Sequence, residues 1–81
     1  MEMKVKLFAA LRDGAGADQI QIEWKQGITC RDVLTEIKNR FAFMAALFEK
    51  SFIAVNGGYA DFSRNLMPED EIAILPPVSG G

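Results

Sequence analysis

The residues best suited to chemistry lie at one end of the chain. The last six read Pro76-Pro77-Val78-Ser79-Gly80-Gly81. Two prolines keep a backbone extended and withhold N–H donors, so such a segment leaves a sheet instead of pairing with it. Fully stretched, six residues reach about 20 Å. Gly80 and Gly81 carry no side chain, and a Cβ sets the minimum bore of any tunnel that a chain can enter. A tail of this kind can deliver its terminal carboxylate into a partner's active site, where ATP would convert it to an acyl adenylate. A carboxylate is a poor electrophile until its oxygen becomes a good leaving group, and AMP serves that role. Ser-Gly-Gly is also linker chemistry, so composition by itself leaves an inert end open. Position favours a delivery arm, because the glycines follow the last predicted strand through a Pro-Pro spacer.

The remaining residues offer little side-chain chemistry. The 81 residues include no His, which removes the commonest general base, the Ser-His and Cys-His pairs and the commonest metal ligand. Cys30 is the single cysteine, so neither an internal disulfide nor a Cys-rich zinc site can form, and a reducing, cytoplasmic setting is expected. Nine Lys+Arg against eleven Asp+Glu give a net charge of −2, which argues against a nucleic-acid surface. The opening MEMKVKLFAAL has no apolar run long enough for a signal peptide or a membrane span. Conventional side-chain catalysis is disfavoured, and no metal site is expected. Asp61, Glu69, Asp70 and Glu71 read as a solvated acidic turn. Gly14 and Gly16 lack the spacing and the Lys of a phosphate loop. Cys30 falls in the first turn of a predicted helix, where the helix dipole favours a thiolate, but without a His partner packing is the expected role.

The elements that must position the tail follow from periodicity. Met3 to Ala9 alternates, with Met3, Val5 and Leu7 on one parity and Lys4, Lys6 and Phe8 on the other. Asp13-Gly14-Ala15-Gly16 reads as a flexible break. Gln19 to Trp24 alternates again, which predicts an antiparallel pair. Thr29 can cap a helix with Asp32 three residues on, and Val33, Leu34, Ile37 and Phe41 recur at helical spacing. Met44, Leu47 and Phe48 fit a second, shorter helical segment. Phe52 to Val55 reads as a buried strand, Asn56-Gly57-Gly58 as a hairpin turn and Tyr59 to Phe62 as a short return strand. Pro68-Glu69-Asp70 makes a last turn before a strand from Glu71 to Leu75. Trp24, Phe41, Phe43 and Phe48 are core candidates. The expected fold is α+β, a ubiquitin-like β-grasp with a mixed sheet of about five strands and one main helix on one face. Residues 1–75 form the domain and 76–81 the extended tail.

Strand parity also predicts a surface. Phe8 shares the face of Lys4 and Lys6, Leu75 that of Glu71, and Tyr59 that of Asp61. Three large apolar side chains on a nominally wet sheet face suggest an interaction patch with aromatic anchors. Ordering the six-residue tail costs about 6–12 kcal/mol, so docking elsewhere on the domain must offset part of it.

Lys4-Val5-Lys6-Leu7-Phe8-Ala9, Leu11-Arg12, Ala54-Val55-Asn56-Gly57, Leu66, Asp70-Glu71 and Leu75-Pro76-Pro77-Val78-Ser79-Gly80-Gly81 closely resemble the MoaD/ThiS family of ubiquitin-like sulfur carriers. Within it, the chain resembles the small subunits of molybdopterin synthase, and the likeness spans essentially the whole chain. The resemblance implies a non-catalytic small subunit, with the catalytic side chains on the partner. Gly81 would be adenylated with Mg-ATP by an enzyme related to ubiquitin-activating enzymes, and a sulfur donor would then make it a thiocarboxylate. The tail would enter the large synthase subunit and give sulfur to cyclic pyranopterin monophosphate, in a heterotetramer built around a dimer of large subunits. Partner binding would involve Phe8, Arg12, Tyr59, Leu75, Pro76, Pro77 and Val78, with Gly80 giving access. Pro68-Glu69 stands where the family often has Asp-Gly, and Tyr59 is a looser match than Gly81. The alternatives are sulfur delivery to thiamine precursors, cysteine or tRNA, a ubiquitin-like modifier joined to target lysines, and a plain interaction module.

Overall fold

The computed structural model describes residues 1–77. Its five-stranded mixed sheet has the order β2-β1-β5-β3-β4. Strands β1 (Glu2–Leu7) and β2 (Gln19–Glu23) pair antiparallel, with Val5 opposite Ile20 and Met3 opposite Ile22. Strand β5 (Ile72–Leu75) lies parallel to β1 and antiparallel to β3 (Phe52–Val55), and β4 (Gly58–Tyr59) closes the far edge. The last strand in the sequence is therefore the central strand of the sheet.

One sheet face is dry. Met3, Val5, Leu7, Ile20, Ile22, Ile53, Val55, Ile72 and Ile74 are buried there, together with Val33, Leu34 and Ile37 of helix α2 (Cys30–Arg40). The α2 start is a complete capping box: Asp32 N–H donates to Thr29 Oγ1 at 3.3 Å, and Thr29 N–H donates to Asp32 Oδ2 at 3.0 Å. A 3-10 turn over Ala42–Met44 leads into α3 (Ala45–Glu49), which buries Phe48 completely. Lys38 Nζ donates to Glu49 Oε1 at 3.0 Å, tying α2 to α3.

Four expectations need correction. The segment read as the end of β1 and a flexible break is helix α1 (Ala9–Ala15). Ala10, Leu11 and Arg12 are strong helix formers, and Leu11 is fully buried. Gly16, at φ 72°, ends the helix in the left-handed region and donates its N–H to Arg12 O. The return strand is only two residues long. Beyond it the chain turns to helix α2, whose first N–H groups have no partner within the helix: Arg31 N–H donates to Phe62 O and Cys30 N–H to Arg64 O. Phe43 is 76% exposed, its ring against the edge of Phe41, instead of joining the core. Strand β3 is half-buried, not buried: Ile53 and Val55 point in while Phe52 is 50% exposed.

Candidate functional site

The wet face of the sheet gathers the apolar residues that parity singled out, and adds one. Strand register sets Phe52 opposite Leu75 and Ala54 opposite both Ala73 and Tyr59. The Phe52 and Tyr59 rings lie 5.7 Å apart, tilted by 56°. Leu7 pairs with Ile74; Leu75 follows on β5, and Phe8, still extended, follows the end of β1 and leads into α1. Phe8 also lines a shallow groove with Lys6, Ala54, Gly57, Glu71 and Ala73. Phe8, Leu75, Phe52 and Tyr59 thus form an apolar band across β1, β5, β3 and β4, and Tyr59 is 77% exposed. Phe52 escaped the sequence reading because Phe52-Ile53-Ala54-Val55 is apolar throughout and hides its own alternation. The hairpin register, which makes Phe52 and Tyr59 diagonal neighbours, was the available signal.

Arg12 flanks this band. It lies on α1 and shares a hollow with Lys6, Leu7, Phe8, Asp18 and Gln19. Its Nε stands 3.5 Å from Asp13 Oδ1, and both side chains are largely exposed, so the pair is worth at most about 1 kcal/mol. The guanidinium therefore remains available to an acidic group. Beyond Lys6 and Lys4 the wet face becomes charged, with Glu2, Glu69 and Glu71 across a second hollow.

Strand β5 holds the exit. Ile72 and Ile74 anchor it in the core, and Pro76 and Pro77 follow its last residue half-buried and outside any strand. Val78, Gly80 and Gly81 lie outside the described residues.

The start of β5 is fastened to the β3–β4 turn. Asn56 and Gly57, at φ 53° and 86°, make the two-residue turn that joins Val55 to Gly58. Asn56 Nδ2 donates to Asp70 Oδ1 at 3.0 Å, and Glu71 N–H donates to Asn56 Oδ1 at 2.9 Å. Asp70 Oδ2 accepts from Met67 N–H at 2.8 Å. This backbone donor, and then the Asn56 amide, hold the Asp70 carboxyl below its usual range.

Cys30 is fully buried, and burial pushes its thiol up despite the nearby Arg64 charge, consistent with a packing residue. Among the described residues, no three His, Cys, Asp or Glu side chains stand where they could share a metal ion. No helix among them is long and apolar enough to cross a membrane.

The ThiS family profile matches residues 5–81. The chain belongs to the ThiS family. The molybdopterin synthase sulfur carrier subunit of Arabidopsis thaliana is 32% identical over 81 residues, covering all of this chain and 84% of that one. Among solved structures, a putative molybdopterin converting factor subunit 1 from Pyrococcus furiosus superposes with a TM-score of 0.83 at 35% identity, covering 96% of this chain and 99% of that one. The small archaeal modifier protein 1 (SAMP1) of Methanosarcina acetivorans superposes at 0.77 with 34% identity, covering 99% and 96%. These likenesses fit the α+β, β-grasp architecture of this ThiS-family chain, in which the sheet brings Phe8, Tyr59 and Leu75 onto one face, adds Phe52, and sets Arg12 at its margin.

Proposed function

We propose that the protein carries sulfur as the small subunit of a molybdopterin synthase. The observation that carries this reading is the exit of the chain from the central strand β5, at the margin of the apolar band on the wet face. An enzyme that draws Gly81 into its active site must come within the reach of the tail, about 20 Å from Leu75. The apolar band of Phe8, Phe52, Tyr59 and Leu75 lies beside the exit, and it is the surface that we assign to that enzyme. Curated relatives named as sulfur carrier subunits of molybdopterin synthase support the same reading.

The chemistry belongs to the Gly81 carboxylate. Its oxygen attacks the α-phosphate of Mg-ATP on an adenylating enzyme, and pyrophosphate leaves. A sulfur donor then displaces AMP, leaving a thiocarboxylate whose sulfur passes to cyclic pyranopterin monophosphate in the large subunit. Gly80 gives the bore, Pro76 and Pro77 the direction, and Val78 a contact along the tunnel. Arg12 pairs with an acidic group of the partner, and the cytoplasm supplies the ATP and the reducing setting.

The likeness to SAMP1 favours one second reading, a modifier whose Gly81 becomes an amide on a target lysine. Intact mass of protein isolated from its own cell separates the two. A free chain with one oxygen replaced by sulfur is the carrier's signature. Conjugates in which the C-terminal segment beyond Arg64 is joined through Gly81 to target lysines, with no sulfur-bearing free chain, would replace the carrier reading by the modifier.

A further inference from the structure

We propose that Asn56 is a latent self-modification site, a deamidation position that Asp70 and the β5 backbone hold shut. Asn56 is exposed to water and is followed by Gly57, against whose missing Cβ nothing lies within 4 Å. Gly57 itself brings no Cβ to hinder approach of its own amide nitrogen to the Asn56 side chain. That nitrogen can attack Asn56 Cγ, forming a C–N bond and a succinimide, while Nδ2 departs as ammonia with the proton that Gly57 loses. Water then opens the ring at either carbonyl to give aspartate or isoaspartate.

The native turn opposes the first step. Attack requires the Asn56 amide to rotate towards Gly57, and both ends of that amide are held. Nδ2 donates to the Asp70 carboxylate, and Oδ1 accepts from Glu71 N–H. Asn56 N–H also donates to Glu71 O at 2.8 Å. Reaction therefore waits for the turn to open.

The product cannot close the turn again. Aspartate at position 56 offers Asp70 no donor and sets a second carboxylate against the first. An isoaspartate adds a methylene to a two-residue turn whose register is fixed by the Val55–Gly58 pair. Either change loosens β5, which leads to the tail, from the β3–β4 hairpin, which carries Phe52 and Tyr59. Such a residue acts as a clock on the age of the molecule, irrespective of what the tail carries.

The test follows deamidation by peptide mass spectrometry during incubation at mildly alkaline pH. Asn39 and Asn65, followed by Arg40 and Leu66, are internal references in the same chain. In the wild type, Asn56 should react far more slowly than in the urea-unfolded chain. Asp70→Ala should raise the Asn56 rate at least about tenfold, the factor expected from one lost charge-assisted hydrogen bond, with Asn39 and Asn65 unchanged. Folded Asn56→Asp should melt at a lower temperature than wild type. Equal Asn56 rates in wild type and Asp70→Ala would overturn the gate. So would a parallel rise at all three asparagines, which reports global unfolding, and an Asn56→Asp protein as stable as wild type would overturn the stated consequence.

Discussion

Replacing Phe52 by Ala tests the apolar band at its least anticipated member. An aromatic side chain presents about 150–250 Å², so the exposed half of Phe52 offers about 100 Å² to a partner. At about 25 cal/mol per Å² this area is worth up to about 2.5 kcal/mol on docking, a weakening in Kd of up to about 70-fold. The buried half and the ring contact with Tyr59 set a separate loss of stability of about 2–3 kcal/mol. Calorimetric titration against the large synthase subunit, well below the variant's melting temperature, reads the first quantity without the second. Phe43→Ala is the matched control, because Phe43 is 76% exposed but sits in the turn between α2 and α3, away from β5. Its affinity should equal that of wild type. An unchanged Kd for Phe52→Ala, or an equal loss for Phe43→Ala, would refute docking through the wet face.

Three further outcomes follow from the same structure. The depressed Asp70 carboxyl contributes stability that is complete above its unfolded value of about 4 and is lost as pH falls through its lower folded value. Asp70→Asn should therefore lower the stability at neutral pH, by at most about 1 kcal/mol given the solvent screening of so exposed a group, and flatten the acid limb of a pH titration of melting temperature. Thr29→Ala should cost about 1 kcal/mol in chemical denaturation, since it removes the acceptor of the capping box. Cys30 should react with a thiol reagent only as fast as the domain opens, and rapid native labelling would contradict its burial.

Elements with a clean period were legible in the sequence. The alternation of Met3, Val5 and Leu7 against Lys4 and Lys6 located β1, and Thr29 with Asp32 located the start of α2. Helix α1 was not legible, because seven residues with one fully buried side chain show no period and two glycines suggest a break. The segment after Tyr59 is apolar enough for a strand, but helix α2 takes its carbonyls as capping acceptors, a non-local demand. Non-local pairing also hid the central place of β5 and the fastening of Asn56 to Asp70, fourteen residues away. Leu75 was readable from parity, since side-chain direction in a strand depends only on counting residues, and Phe8 too because the chain stays extended one residue past β1. Tyr59 reaches the same face through its pairing with Ala54, although the strand expected to continue to Phe62 stops there.

In the proposed carrier, reactivity resides at the Gly81 acyl group and the folded body presents it. Purified protein incubated with an adenylating enzyme of the ubiquitin-activating type, Mg-ATP and sulfide, then fragmented in the mass spectrometer, should carry one sulfur in place of oxygen, confined to the fragment that contains Gly81. Sulfur found instead on Cys30, or added without loss of oxygen, would contradict it.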